Sequence, residues 1–140
     1  KLDEEMGDDD RANRQMVELA RFQVDDPECR RRIVEYSLRK KDAATAVRYL
    51  EEMLYLDPFD DKVHALLATA AADAGQPDIA IRENLILLGS PEANPRRIRM
   101  ALARAYLQKG EKDKAAAEAR KVLAIDPDHA EAKEILEKVR

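Results

Sequence analysis

The sequence predicts an all-α protein of about eight helices, and three observations support this prediction. Ala and Leu, both strong helix formers, supply much of the 45% hydrophobic content, while aromatic residues make up only 4% of the 140 residues. Apolar residues recur at helical spacing along most of the chain. Turn signals recur at fixed intervals, which indicates internal repeats. A β-sandwich or barrel would need more β-branched, aromatic and turn residues.

Composition also excludes several other classes of protein. Cys29 is the single cysteine, so a disulfide scaffold is excluded. No apolar run approaches the roughly 18 residues of a spanning helix, and no signal-peptide pattern opens the chain. We therefore expect a soluble protein without membrane insertion, with the cytoplasm as the favoured compartment.

Charge is distributed unevenly along the chain. Residues 1–10 hold one Lys against six acidic residues, whereas the rest holds 24 basic and 23 acidic residues. The opening segment has little apolar content and no periodicity, which is typical of a solvated segment. We predict an acidic flexible leader or linker over residues 1–10 and a single helical repeat domain over residues 11–140.

Two kinds of turn signal define the repeats. An Asp-Pro pair follows an apolar run at Asp57 and again at Asp126, and Gly75 and Gly110 each separate two helical patterns. These spacings fit units of 34 or 35 residues, each consisting of two amphipathic helices. The predicted units cover residues 27–60, 61–95 and 96–129, with a helix ahead of them over 11–24 and a capping helix over 129–140.

Helix start signals agree with these boundaries. Asp26 and Asn94 each precede a proline, as an N-cap residue does before proline at the first helical position, and Gln76 uses the same device with a poorer cap. Asp128 with Glu131 three residues later is a capping-box pattern for the last helix.

At this point the sequence resembles a tetratricopeptide repeat array. In residues 96–129, Leu102 and Ala103 match the large and small pair of the first helix, Tyr106 its aromatic position, Gly110 the turn glycine and Pro127 the closing proline. The resemblance implies a right-handed α-solenoid of stacked antiparallel helix pairs.

The first unit departs from the family pattern at its turn. Lys41 stands where glycine is expected, so this residue must adopt a left-handed backbone or the turn must be rebuilt. One unit cannot bury its apolar face alone, so neighbouring units stack and the ends need capping helices.

Catalytic motifs are absent from the sequence. It contains no phosphate loop, metalloprotease motif or nucleophile elbow, and His64 and His129 lie far apart. Three arginines follow Cys29 near a predicted helix start, and both features would lower the pKa of its thiol. No second cysteine or nearby histidine supports catalysis. We predict that the chain is not an enzyme and uses no metal or cofactor.

The resemblance implies a concave face, lined by the first helix of each unit, that holds a peptide or partner segment. Its predicted contact residues are Arg31, Glu35, Arg39, Lys62, Thr69, Arg97, Met100, Arg104 and Gln108. Basic residues predominate among them, and arginine favours planar contacts to carboxylates. An acidic segment or a chain-terminal carboxylate is therefore the predicted ligand. The alternative is a solvated face that binds nothing. A known clamp for chaperone tails is disfavoured, because Glu35, Leu66 and Ala101 do not match it.

These observations favour a non-catalytic protein-interaction module. One alternative is a C-terminal docking or regulatory domain of a larger enzyme, such as a bacterial peptidase or transferase, because the chain starts at Lys1 with an acidic lead-in. Nucleic-acid binding is disfavoured by the pI of about 5.3 and the scarcity of aromatic residues. Self-association through exposed terminal helices stays open.

Overall fold

The computed structural model describes residues 2–22 and 26–140, with the side chains of residues 7–22 and 26–140. Within these ranges it contains eight α-helices and no strand, which confirms the all-α prediction. Lys1, Gln23 and Val24, which we assigned to the leader and the first helix, lie outside the described residues. None of the described helices carries an apolar stretch of the length needed to cross a membrane. The chain divides into two compact units, the second beginning at Asp61.

Three helices form the first unit, in which α1 packs against α2 and α2 packs against α3. Their bounds are Leu2–Phe22 for α1, Pro27–Arg39 for α2 and Ala43–Leu56 for α3. The Asp26 carboxylate accepts hydrogen bonds from the backbone N–H groups of Glu28 and Cys29, as its N-cap pattern predicts. Ile33 and Leu50 are fully buried between the helices and anchor the core of this unit.

The turn between α2 and α3 contains a non-glycine residue with positive φ. Lys41 has φ of 59°, which is the left-handed conformation that its place in the repeat requires. The backbone N–H of Asp42 then donates to the carbonyl of Ser37 at 2.8 Å and closes the helix end. Asp42 also caps α3 by accepting from the N–H of Thr45. The turn thus has the backbone geometry expected of a repeat with glycine at this position.

The acidic segment differs from our expectation of a flexible leader. Residues 2–10 form the first half of α1. Asp9 pairs with Arg39 at 3.3 Å, and Asp10 pairs with Lys40 at 3.1 Å and accepts a hydrogen bond from the Tyr36 hydroxyl. These contacts neutralise carboxylates that would otherwise repel one another, and acidic residues near a helix N-terminus are favoured by the helix dipole.

Five helices form the second unit, and each packs against the next. They are α4 (Asp61–Asp73), α5 (Pro77–Leu88), α6 (Pro95–Lys109), α7 (Lys112–Ile125) and α8 (Ala130–Lys138). Gly75 and Gly110, with φ of 70° and 85°, make the turns after α4 and α6. Asn94 caps α6 through the N–H of Arg97, whereas Gln76 makes no side-chain cap bond. Both observations agree with the sequence.

Small residues bring these helices close together. Ala103, Ala115 and Ala119 are fully buried and leave room for the larger Leu102 and Val122. The last helix, α8, covers the end of this core, with Ala132 and Ile135 buried and Leu136 and Val139 partly buried against it. This is the arrangement that the predicted capping helix requires.

The capping box predicted for α8 is replaced by a different cap. His129 is the N-cap residue, and its Nδ1 accepts from the N–H of Ala132 at 3.3 Å. Glu131 does not reach back to the helix start but pairs with Arg104 on α6. A tertiary ion pair has therefore replaced a local hydrogen bond.

Candidate functional site

A groove of about 550 Å³ lies in the second unit between α4 and α6, with α5 contributing to its floor. Its volume is typical of a ligand-binding site, for which roughly 300–1,000 Å³ is usual. Helix α4 contributes residues spaced three or four apart, and α6 does the same, so each helix presents one face to the groove. Five of the residues predicted to bind a partner line it, namely Lys62, Thr69, Arg97, Arg104 and Gln108.

The other four predicted residues lie elsewhere. Arg31, Glu35 and Arg39 are exposed on α2 in the first unit, where Arg31 pairs with Glu28 at 2.5 Å. Met100 is a correction to the predicted surface, because its side chain is only 3% exposed and packs in the core with Ala103, Ala119 and Ile135. Its position on α6 faces α7 and α8 and is closed to a partner.

The charged residues of the groove are balanced in number. Among the described residues that line it, three are acidic and three are basic, so basic residues do not predominate in this part of the predicted face. They are Asp61, Asp73 and Glu92 against Lys62, Arg97 and Arg104. Because the charges are balanced, the ligand preference of each charged side chain depends on whether it already forms an ion pair within the protein.

Arg97 and Arg104 differ in how they are paired. Arg104 donates from Nε and Nη2 to both carboxylate oxygens of Glu131, a bidentate arrangement. This guanidinium holds the pKa of Glu131 below its usual range, and the same contact raises the pKa of Arg104. Arg97 is exposed, and no carboxylate in the described part of the chain pairs with its guanidinium. A ligand carboxylate can therefore bind Arg97 without displacing a carboxylate of the described residues.

The floor of the groove contains a buried carboxamide that sequence reasoning missed. Asn84 on α5 lines the groove and is 6% exposed. Its Nδ2 donates to the carbonyl of Ala80 at 2.8 Å. Asn84 shares one face of α5 with Ala80 and Leu87, which also line the groove. The sequence did contain one indication of this residue, a polar amide on a helix face whose neighbouring residues are apolar.

A second buried polar cluster lies between α4 and α5. The Nδ1 of His64 contacts Oε2 of Glu83 at 2.5 Å, and the Nε of Arg82 contacts the other oxygen at 2.6 Å. His64 is 6% exposed and Glu83 is 1% exposed, so the carboxylate is held by protein groups. Neither residue lines the groove. This cluster is consistent with a structural role.

Cys29 does not have the environment of a reactive thiol. It is buried, and burial raises the pKa of its thiol, with the Asp26 carboxylate contributing in the same direction. Its Sγ contacts the carbonyl of Met16 at 3.1 Å. Arg30 and Arg32 do act to lower this pKa, but desolvation and Asp26 outweigh them, so the prediction of a lowered thiol pKa is wrong. Among the described residues, no group of three His, Cys, Asp or Glu side chains is placed to hold a metal ion.

Comparison with known proteins supports the resemblance seen in the sequence. Residues 90–139 match the tetratricopeptide repeat model. A crystal structure of MamA has 18% identity and a TM-score of 0.71, covering 97% of this chain and 79% of that one. MamA from Desulfovibrio magneticus RS-1 has 21% identity and a TM-score of 0.67, covering 96% and 85%. YrrB, a TPR protein with an unusual peptide-binding site, has 17% identity and a TM-score of 0.73, covering 99% and 71%.

No curated protein sequence matches this chain. At these identities the structural neighbours establish the fold, and they confirm the predicted tetratricopeptide-like arrangement of helices.

Proposed function

We propose that this chain is a non-catalytic protein-interaction module whose groove on α4, α5 and α6 binds a peptide segment that carries a carboxylate. The observation that carries the proposal is a groove of ligand size with the exposed guanidinium of Arg97 on its wall, which no carboxylate among the described side chains pairs with. The tetratricopeptide-like fold supports an interaction role, and a neighbour of this fold is described as having a peptide-binding site.

The groove offers different binding groups along its length. Arg97 and Lys62 line one end near the starts of α6 and α4, and Arg104 and Gln108 line the other. The Gln108 side chain near the end of α6 is the group nearest to Gly75, which follows the end of α4, so the two helices end on the same side and a peptide can follow their direction. Arg97 can contact a ligand carboxylate through two parallel N–H groups.

Arg104 is available only to a ligand that displaces Glu131. Its pair with Glu131 is a surface pair, since the side chains are 57% and 40% exposed. Such pairs contribute at most about 1 kcal/mol, so a ligand carboxylate can replace Glu131 at small cost. We expect Glu131→Gln to tighten binding of a carboxylate-bearing peptide by up to about fivefold.

The test begins with selection of a 12-residue peptide from a random display library on the wild-type chain. Its dissociation constant is then measured by fluorescence anisotropy for the wild type, Arg97→Glu and Glu131→Gln. Arg97→Glu is expected to weaken binding at least tenfold, because a charge-assisted contact becomes a repulsion.

Arg120→Glu is the matched control. Arg120 is an exposed arginine on α7 outside the groove, so this variant changes the net charge by the same amount. Equal weakening by both variants would show that net charge governs binding, and the site would be rejected. Selection of no binding peptide would reject the function itself.

A further inference from the structure

We propose that Asn84 recognises the main chain of the bound peptide, accepting a hydrogen bond from a peptide N–H at Oδ1 and donating its second amide hydrogen to a peptide carbonyl. The inference rests on the proposed function of the groove. It adds a residue on α5 that the sequence patterns did not predict to bind a ligand. It also specifies that this residue binds the main chain of the peptide.

The first argument is the unused hydrogen-bonding capacity of this side chain. A carboxamide has two donor hydrogens and an acceptor oxygen. Asn84 uses one hydrogen, toward the Ala80 carbonyl, and its Oδ1 makes no hydrogen bond within the described part of the chain. In the described part of the chain, Oδ1 is not one of the fully buried atoms that lack a partner, so it is accessible from the groove and can accept a hydrogen bond from a ligand. The bond to Ala80 fixes the orientation of the carboxamide.

The second argument is that a stabilising role does not account for an asparagine here. Asparagine is a weaker helix former than Ala or Leu. The Ala80 carbonyl already accepts the helical N–H of Asn84, four residues later, so the side-chain bond adds little to the helix. Leu87, one turn further along this face, is apolar. An apolar residue at position 84 would therefore suit the fold at least as well.

The third argument concerns the neighbouring polar groups. The Thr69 hydroxyl donates to the Ala65 carbonyl at 3.1 Å, and the Asn94 oxygen accepts from the Arg97 backbone N–H at 3.1 Å. Both atoms are engaged by their own helices. The carboxamide of Asn84 is thus a buried group of the groove with both a donor and an acceptor to offer, which is the complement of a peptide unit.

The first measurement compares stability with affinity in Asn84→Ala and Asn84→Leu. We expect the melting temperature of both variants to equal or exceed that of the wild type, because the buried amide contributes no net stability. We expect affinity for the selected 12-residue peptide to fall at least about tenfold, because both hydrogen bonds from the carboxamide to the peptide are lost. Asn13→Ala changes an asparagine on α1 in the first unit, outside the groove, and is the control, with affinity within about twofold of the wild type.

The second measurement identifies the ligand group. Each peptide N–H in the selected peptide is replaced in turn by N-methyl. One replacement is expected to weaken binding to the wild type about tenfold while leaving binding to Asn84→Ala unchanged, the pattern of a direct contact.

Three outcomes would overturn the inference. A lower melting temperature in both Asn84 variants with unchanged affinity would make the residue structural. Loss of affinity without any coupled N-methyl position would mean that Asn84 contacts a peptide side chain. Binding that depends on Arg97 but not on Asn84 would reject this inference and leave the proposed function intact, whereas failure to select a binding peptide would reject both.

Discussion

Replacing His64 with alanine is expected to lower the free energy of unfolding of the second unit by about 3 kcal/mol. The carboxylate of Glu83 is 1% exposed and is held by His64 at 2.5 Å and by Arg82 at 2.6 Å. Leaving a buried carboxylate without a hydrogen-bond partner costs roughly 3–5 kcal/mol, because the cost of its desolvation is no longer compensated. The lower end applies because Arg82 still contacts the carboxylate.

Urea denaturation followed by circular dichroism measures this change, and the melting temperature should fall by about 12 °C at roughly 4 °C per kcal/mol. The double variant His64→Ala, Glu83→Gln is the control. A neutral amide is less costly to bury than a carboxylate that has lost one of its partners, so the double variant should recover at least about 1 kcal/mol. A loss below about 1 kcal/mol in His64→Ala, or no recovery in the double variant, would refute the reasoning.

Two further predictions concern the first unit. Asp42→Ala should lower its stability by about 1 kcal/mol, because the cap of α3 is lost. Hydrogen bonds from the Thr45 side chain and backbone hold the pKa of Asp42 below its ordinary 3.8, so this contribution is complete above that pH and is lost as pH falls through the folded value. Denaturation at pH 7 and pH 2 should therefore show the two proteins converging in acid, and a constant difference would contradict the assignment. Burial raises the pKa of the Cys29 thiol, so iodoacetamide at pH 8 should label the native chain at least about tenfold more slowly than the urea-unfolded chain, and equal rates would contradict the buried position.

Local chemistry explains why much of the fold could be predicted. Gly110 and Lys41 mark turns that need a left-handed residue, and the structure places both in that conformation. Asn94 before proline marks a helix start, and it caps α6 as expected. Each of these features depends on residues within a few positions of one another, so the sequence alone contains the necessary information.

The candidate site could be predicted in part. Helical spacing places Lys62 and Thr69 on one face of α4, and Arg97, Arg104 and Gln108 on one face of α6, and these five residues do line the groove. Spacing was insufficient for Met100, which lies at the edge of the predicted face. Packing of α7 and α8 against that edge covers it.

Sequence by itself therefore determined the repeat period, the helices and their turns, and the faces that helices α4 and α6 present. Only the tertiary structure decided which charged side chains form ion pairs with distant residues. Arg104 pairs with a carboxylate 27 residues later, and Asp9 pairs with an arginine 30 residues away. Arg97 has no carboxylate partner among the described residues. The tertiary structure also placed Asn84 on the floor of the groove. The physical reason is that backbone conformation follows from local contacts, while burial and ion pairing depend on which distant helices pack together.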